Sequence, residues 1–158
     1  MKTIILDDTR IERTIKRIAF QIVEHCHEHD AITLIGLKPR GVWVAEKIQV
    51  ALNEISEFKV NFGAIDIDDL SALHGIAGSV EGQSVVLVDD VIKSGETMMM
   101  AASAIVNLKP QMLITACLVD RKHRRFPIQC DFTGLSLATT MQEHIQLMIK
   151  PKPTIYLE

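Results

Sequence analysis

Apolar residues recur along the chain in two patterns, a helical period and short continuous runs. The helical pattern extends from Ile11 to Cys26. Thr9 and Glu12 have the spacing of a capping box, so the first helix is expected to start at Thr9 and to end near His29. Two more helices are expected, at about Val42–Glu54 and Glu96–Leu108.

The continuous apolar runs predict strands that alternate with these helices. The expected strands are Ala31–Gly36, Phe58–Ile67, a run from Val85, Met112–Val119, Asp131–Leu137, and a terminal hairpin of His144–Ile149 with Thr154–Leu157. The glycine-containing segment Asp68–Gln83 is expected to be a mobile loop or flap. Alternating strands and helices indicate an α/β fold with a mostly parallel twisted sheet flanked by helices, a small hood and a C-terminal hairpin.

Composition limits the class of protein. With 158 residues, no repeat and no linker, the chain is expected to be one domain, 1–158. No apolar run has membrane-spanning length, and acids follow the first residues too early for a signal peptide. Three cysteines without C-x-x-C spacing indicate reduced thiols, so a cytoplasmic protein is expected. The net charge of −3 argues against a broad nucleic-acid surface.

Residues 85–98 contain the most informative pattern, Val-Val-Leu-Val-Asp-Asp-Val-Ile-Lys-Ser-Gly-Glu-Thr-Met. Asp89 and Asp90 are expected at the carboxyl end of a buried strand, and their carboxylates can accept hydrogen bonds from ribose hydroxyls or hold magnesium through water. Ser94, Gly95 and Thr97 lie at the start of a helix, where free N–H groups and the helix dipole bind phosphate. The pattern therefore predicts a sugar-phosphate site at the carboxyl edge of the sheet.

The alternative interpretation of residues 85–98 is an ordinary β-strand and turn that carry two acids without binding a ligand. Two competing phosphate signatures are missing, because the chain has neither G-x-x-x-x-G-K-[ST] nor G-x-G-x-x-G. A nucleotide hydrolase and a dinucleotide enzyme are therefore disfavoured.

Two further loops are expected at the same edge of the sheet. Lys38 and Arg40 supply two positive charges that could bind a pyrophosphate leaving group. Gly41 gives the backbone conformational freedom at the start of the next helix. The segment Asp120–Pro127, called the basic loop below, follows another strand and could form a wall of the site or contact nucleic acid. The alternative for both is a solvated charged loop.

The run from Asp89 to Thr97 resembles the PRPP signature of the type I phosphoribosyltransferases. Other stretches are similar to one branch of them, the PyrR family, whose members regulate pyrimidine-operon attenuation and act as uracil phosphoribosyltransferases. These stretches are Ile35–Gly41, Gly63–Ile67 and Leu118–Gly134, and the match runs from about residue 8 to the C-terminus.

The resemblance implies that PRPP, magnesium and a nucleobase, most simply uracil, bind at this edge. It assigns the ribose hydroxyls and the metal to Asp89 and Asp90, which also act as the catalytic pair. The remaining assignments are Lys93, Ser94, Gly95, Glu96 and Thr97 to the 5′-phosphate, Lys38, Arg40 and Gly41 to pyrophosphate, and Val119, Asp120 and Arg121 to the base pocket. A homo-oligomer, a dimer or larger, is implied only by the resemblance.

Three departures from the family pattern bear on activity. Only sixteen residues separate Ile67 from Ser84, so the flap is short and lacks the family's Tyr-Arg pair. Glu96 replaces a cation beside the phosphate site, and Lys93 replaces the acid that handles the N7 proton in 6-oxopurine transferases. The short flap favours a second hypothesis, a weakly active or inactive sensor of PRPP or nucleotide that binds RNA. The candidate RNA contacts are Arg10, Arg13, Lys16 and Arg17 on the first helix, and Arg121–Arg125.

Overall fold

The computed structural model describes residues 1–158 and contains eight strands, four α-helices and one 3₁₀ turn. The strands are β1 Thr3–Leu6, β2 Ala31–Leu37, β3 Lys59–Ile65, β4 Ser84–Ile92, β5 Met112–Asp120, β6 Phe132–Ser136, β7 Ile145–Met148 and β8 Thr154–Leu157. The helices are α1 Asp8–His25, α2 Arg40–Ile55, α3 Ala72–Ile76 and α4 Glu96–Val106, with the 3₁₀ turn at Ala77–Ser79.

Five strands form a parallel sheet in the order β3-β2-β4-β5-β6, which confirms the predicted α/β fold. The chain order reverses between β2 and β4, and in open α/β sheets ligands bind outside the carboxyl ends of strands at such a switch point. One apolar cluster, with α1 and α2, covers one face of this sheet, and a second, with α4, covers the other. Both faces are thus buried, as an all-parallel sheet requires.

The N-cap of the first helix lies two residues earlier than the capping-box pattern predicts. Asp7 is the N-cap, and its Oδ1 accepts a hydrogen bond from the amide of Arg10 at 2.8 Å. The prediction that Thr9 caps the helix was wrong, because Asp7, two residues earlier, is the N-cap and Thr9 already lies within the helix. The helix also ends at His25 rather than near His29.

The segment 68–83, here called the flap segment, contains regular structure that the sequence did not predict. It contains α3 and the 3₁₀ turn, and its Leu73 and Val80 are buried. Thr33 on β2 donates its hydroxyl to the carbonyl oxygen of Ser79. The expected loop or flap therefore contains two short helical turns at Ala72–Ser79, and these contacts pack them on the sheet.

The predicted terminal hairpin is part of a larger element. β7 and β8 are antiparallel, and β1 from the start of the chain pairs with the other side of β8. Leu6, Leu147 and Ile155 connect this small sheet to the core cluster on the α1 face. No helix combines the length and apolar character that crossing a membrane requires.

Candidate active site at the switch point of the sheet

Asp89 and Asp90 lie within β4, close to its carboxyl end. Both are partly buried, and the amide of Asp90 donates to Oδ1 of Asp89 at 2.8 Å. Burial and then repulsion from the Asp90 carboxylate raise the pKa of Asp89 well above its usual value. Two carboxyl groups are therefore held side by side where full ionisation of both is unfavourable.

The turn Lys93–Thr97, called the phosphate loop below, joins β4 to the N-terminus of α4. Gly95 has φ of 84°, a left-handed conformation that other residues rarely adopt. A Cβ built there would lie 2.7 Å from Cγ2 of Ile128, so the position has neither the conformation nor the space for a side chain. Ser94 Oγ accepts a hydrogen bond from the amide of Glu96 at 3.2 Å.

The phosphate loop borders a small cavity beside the carboxylates. Its volume is about 130 Å³, and it is lined by Asp89, Val91 and the run from Ile92 to Met98. The first residues of α4, Glu96–Met98, line this cavity, and the helix dipole favours an anion at a helix N-terminus. The structure thus brings the predicted phosphate-binding residues and the first acid of the pair to one cavity.

The predicted pyrophosphate residues lie across the switch point. Arg40 and Gly41 are the first residues of α2 rather than part of a loop, so the predicted helix start at Val42 was two residues late. A Cβ on Gly41 would lie 2.7 Å from the carbonyl oxygen of Val88 and 3.1 Å from Oδ1 of Asp89. Glycine therefore allows the start of α2 to pack directly on β4 beside the acidic pair.

The cations of this loop have acids nearby but form no salt bridge with them. Lys38 is exposed, Arg40 is half-buried, and neither takes part in a salt bridge of the structure. Lys38 also lines a cavity of about 570 Å³ together with Pro39, Val42 and residues 66–68. Neither side chain has to break a salt bridge to accept an anionic ligand, although Asp66 and Asp68 line the same cavity as Lys38.

The predicted base-pocket residues at the end of β5 have structural partners. Val119 is fully buried. Asp120 forms a two-point ion pair with Arg124, with Nη1–Oδ1 and Nη2–Oδ2 distances of 2.9 and 2.8 Å. Arg121 is only 3% exposed, so its guanidinium group cannot reach far into a solvent-open pocket.

Arg121 instead holds the segment Thr139–Glu143, which we call the hood segment. Its Nε donates to Oγ1 of Thr139 at 2.9 Å, and Nη2 donates to the carbonyl oxygens of Thr140 and Glu143. His123 adds a contact from Nε2 to the carbonyl oxygen of Thr139. Two residues that follow β5 thereby fix the position of the hood segment over the end of the sheet.

Arg124 has a structural role that the sequence did not single out. Besides its ion pair with Asp120, it donates to the carbonyl oxygens of Lys93 at 3.1 Å and of Ile128 at 2.8 Å. The amides of Arg125 and Phe126 also donate to the carbonyl oxygen of Ser94. The basic loop is therefore fastened to the phosphate loop. The spacing of Asp120 and Arg124 was the only sequence feature that could have indicated this ion pair. Because several other cations lie in the same run, the sequence does not show which of them pairs with Asp120.

Comparison with known proteins agrees with this geometry. Residues 1–151 match the family model described as phosphoribosyl transferase domain, and the chain belongs to that family, with the type I fold. Solved structures of hypoxanthine phosphoribosyltransferase from Trypanosoma cruzi share the fold. One has a TM-score of 0.81 at 17% identity and covers 98% of this chain and 95% of that chain. Another, in complex with the product IMP, has a TM-score of 0.75 at 22% identity, with coverage of 85% and 75%.

Within the family the chain is PyrR-like, as the resemblance predicted. The bifunctional protein PyrR of Clostridium acetobutylicum is 37% identical over 163 residues, covering 95% of this chain and 92% of the relative. The pyrimidine operon regulatory protein of Lactococcus lactis is 38% identical over 149 residues, covering 89% and 86%.

Proposed function

We propose that the protein transfers ribose 5-phosphate from PRPP to uracil and releases pyrophosphate. The observation that carries the proposal is the junction of β4 and α4, where Asp89 and the left-handed turn at Gly95 border one small cavity. The phosphate loop would bind the 5′-phosphate through amides and the hydroxyls of Ser94 and Thr97. The two carboxylates would bind the vicinal ribose hydroxyls.

Magnesium fits this site by the chemistry of its donors. Asp89 and Asp90 supply carboxylate oxygens, which are the ligands that magnesium prefers. No group of three or more acidic, histidine or cysteine side chains is assembled to hold a metal. Magnesium commonly binds through one or two carboxylates together with substrate phosphates and water, so a site completed by PRPP is the arrangement that suits these residues. Bound there, the ion would offset the charge of the pyrophosphate group.

The residues of the chain act by position and charge. Charge on Asp89 and Asp90 would stabilise the positive charge that develops at the anomeric carbon as the bond to pyrophosphate breaks. Lys38 and Arg40, across the switch point, would bind the departing pyrophosphate. Arg121 would act on the base indirectly, because its hydrogen bonds hold the hood segment rather than a ligand.

The test is a pyrophosphate-release assay with PRPP, magnesium and a panel of uracil, cytosine, hypoxanthine and guanine. Turnover is expected with uracil, and removal of magnesium with a chelator is expected to abolish it. Asp89→Asn with Asp90→Asn should lower kcat/KM by about 10²-fold or more. Glu81→Gln is a matched control, because it makes the same carboxyl-to-amide change at an exposed position before β4. Unchanged turnover in the double variant would refute the site.

A second candidate function is a regulator that binds RNA and uses the PRPP site as a sensor. The L. lactis relative is named a pyrimidine operon regulatory protein, and the flap segment here packs on the sheet instead of extending from it. Arg10, Arg13 and Lys16 are exposed on α1 and would contact phosphates. Arg17 is less available, since it donates to the carbonyl oxygen of Gly134 at 2.6 Å.

This candidate predicts salt-dependent binding to the leader transcript of a pyrimidine operon. A triple change of Arg10, Arg13 and Lys16 to Gln should reduce the slope of log affinity against log salt by about 0.7 to 0.9 per phosphate contact removed. The exposed Lys59, at the opposite edge of the sheet from the site, provides a control when changed to Gln. Absence of any salt-dependent binding would remove the RNA function while leaving the transferase proposal in place.

A further inference from the structure

Two free thiols that the proposed chemistry does not use lie in contact beside the site. Cys117 on β5 is fully buried, Cys130 just before β6 is partly exposed, and their Sγ atoms are 3.1 Å apart. That separation is only about 1 Å longer than the ~2.05 Å S–S bond of a disulfide. The third cysteine, Cys26, is buried in the cluster on the α1 face and has no such partner.

A reagent can reach one member of this pair through an open cavity. Cys130 lines a cavity of about 390 Å³ between the basic loop and β6, together with Asp120, Lys122, Arg124, Ile128, Gln129 and Thr133. Cys117 has no exposed surface. The accessible thiol would therefore react first, and the buried thiol is in place to react with the product. Contact with Cys117 also lowers the pKa of Cys130, which favours the thiolate as nucleophile.

The pair is physically connected to both halves of the sugar-phosphate site. Cys117 is the register partner of Asp89 between β4 and β5. Ile128, two residues before Cys130, lies against Gly95, where its Cγ2 occupies the space that a side chain would need. A displacement of Cys130 toward β5 would therefore be transmitted to the packing of the phosphate loop.

We propose that Cys130 and Cys117 form a peroxide-sensitive modification site, in which a reversible disulfide between them weakens binding of a phosphorylated sugar at the phosphate loop. The disulfide itself is independent of the proposed transferase activity, whereas its effect on PRPP rests on that function.

The reaction balances with hydrogen peroxide as the oxidant. The sulfur of Cys130 attacks one peroxide oxygen, the O–O bond breaks, and a sulfenic acid and one water are formed. The sulfur of Cys117 then attacks that sulfenic sulfur, the S–O bond breaks, and the oxygen leaves as a second water as the thiol gives up its proton. The two sulfur atoms together lose two electrons, which reduce the peroxide, and a dithiol reductant reverses the change by exchange.

The first measurement maps the oxidised cysteines. Reduced full-length protein is treated with hydrogen peroxide, remaining thiols are alkylated, and tryptic peptides are analysed by mass spectrometry, since Lys and Arg residues separate all three cysteines. A Cys117–Cys130 cross-link that dithiothreitol reverses is expected. It should persist in Cys26→Ser and be absent from Cys130→Ser, whose partly exposed position tolerates the change. Oxidation of Cys130 to sulfinic acid without a cross-link, or no reaction at either thiol, would overturn the proposal.

The second measurement compares PRPP affinity of reduced and oxidised wild-type protein by calorimetry. The Kd is expected to rise about tenfold on oxidation and to return on reduction. Cys130→Ser treated with peroxide should keep the affinity of the reduced protein. A complete cross-link with unchanged Kd would overturn the coupling. If reduced protein fails to bind PRPP, the proposed function fails, while the cross-link result still stands as evidence for or against the thiol pair.

Discussion

Arg124 and Asp120 form an ion pair through both carboxylate oxygens, at 2.9 and 2.8 Å, with side chains that are 23% and 7% exposed. The same guanidinium group donates to the carbonyl oxygen of Lys93 in the phosphate loop. One side chain thus joins the end of β5 to the turn before α4. The pair therefore fixes the position of the basic loop relative to the phosphate loop in the candidate site.

Replacement of Arg124 by Met should both destabilise the protein and weaken PRPP binding. Loss of one partner leaves the largely buried Asp120 carboxylate without its ion pair, at a cost of about 3 kcal/mol in the free energy of unfolding. Arg125→Met is the matched control, since its pair with Glu96 is exposed and 3.5 Å long, and it should cost less than about 1 kcal/mol. Urea unfolding and PRPP calorimetry on both variants measure the difference. Equal effects would contradict the role given to Arg124.

Replacement of Gly95 by Ala should weaken ligand binding as well as stability. The left-handed backbone costs a non-glycine residue about 1 kcal/mol, and the new Cβ would also displace Ile128. Gly82→Ala isolates the first cost, because Gly82 has φ of 67° but open space around its Cα. Gly95→Ala should therefore lose more stability than Gly82→Ala, and only Gly95→Ala should raise the Kd for ribose 5-phosphate, by about tenfold or more. A similar Kd for the two would show that the phosphate does not bind at this turn.

Replacement of Arg121 by Met should free the hood segment. Three acceptors in Thr139, Thr140 and Glu143 lose their donor, so amide hydrogen exchange across 139–144 should accelerate by about tenfold or more. The KM for uracil should rise while the Kd for PRPP stays unchanged. The neighbouring, exposed Lys122 changed to Met is the control. A rise in the PRPP Kd with unchanged exchange would instead place the Arg121 side chain in direct contact with ligand.

The raised pKa of Asp89 predicts that the ligand-free protein loses stability as pH rises. A carboxyl whose pKa is higher in the folded state binds more protons there than in the unfolded chain. The free energy of unfolding should therefore fall as pH increases from about 4, the ordinary pKa of aspartate, through the folded-state pKa. Asp89→Asn removes this ionisation.

The variant should consequently unfold at a higher temperature than wild type at neutral pH, with a smaller difference at pH 4. Thermal unfolding in the presence of a chelator tests this, since a bound cation would lower the pKa of Asp89. Greater stability of the wild type at neutral pH would contradict the prediction.

The central part of the fold could be predicted from the sequence because it is encoded locally. The run Val85–Val88 is apolar throughout, as a strand buried on both faces must be, and Gly95 marks the turn that follows. Since parallel strands present their carboxyl ends at one edge, Lys38, Arg40 and the acidic pair could be assigned to the same side of the sheet.

Features that depend on distant contacts could not be predicted in this way. β1 has four residues, and its pairing with β8 depends on residues at the far end of the chain. Arg121 forms hydrogen bonds to a segment that has no periodic pattern of apolar residues. The sequence therefore cannot show whether this arginine is buried and holds a loop or is exposed and binds a ligand. Asp7 and Thr9 both suit a helix start, and only the structure shows that Asp7 is the N-cap, accepting a hydrogen bond from the amide of Arg10.

The position of β8 in the small sheet has a consequence for the loss of a single strand. β8 lies between β1 and β7, so without residues 154–157 neither neighbour has a hydrogen-bonding partner. Ile155 of β8 is also part of the core cluster on the α1 face. Removal of this one strand would therefore release both of its neighbours and expose the core at the same place.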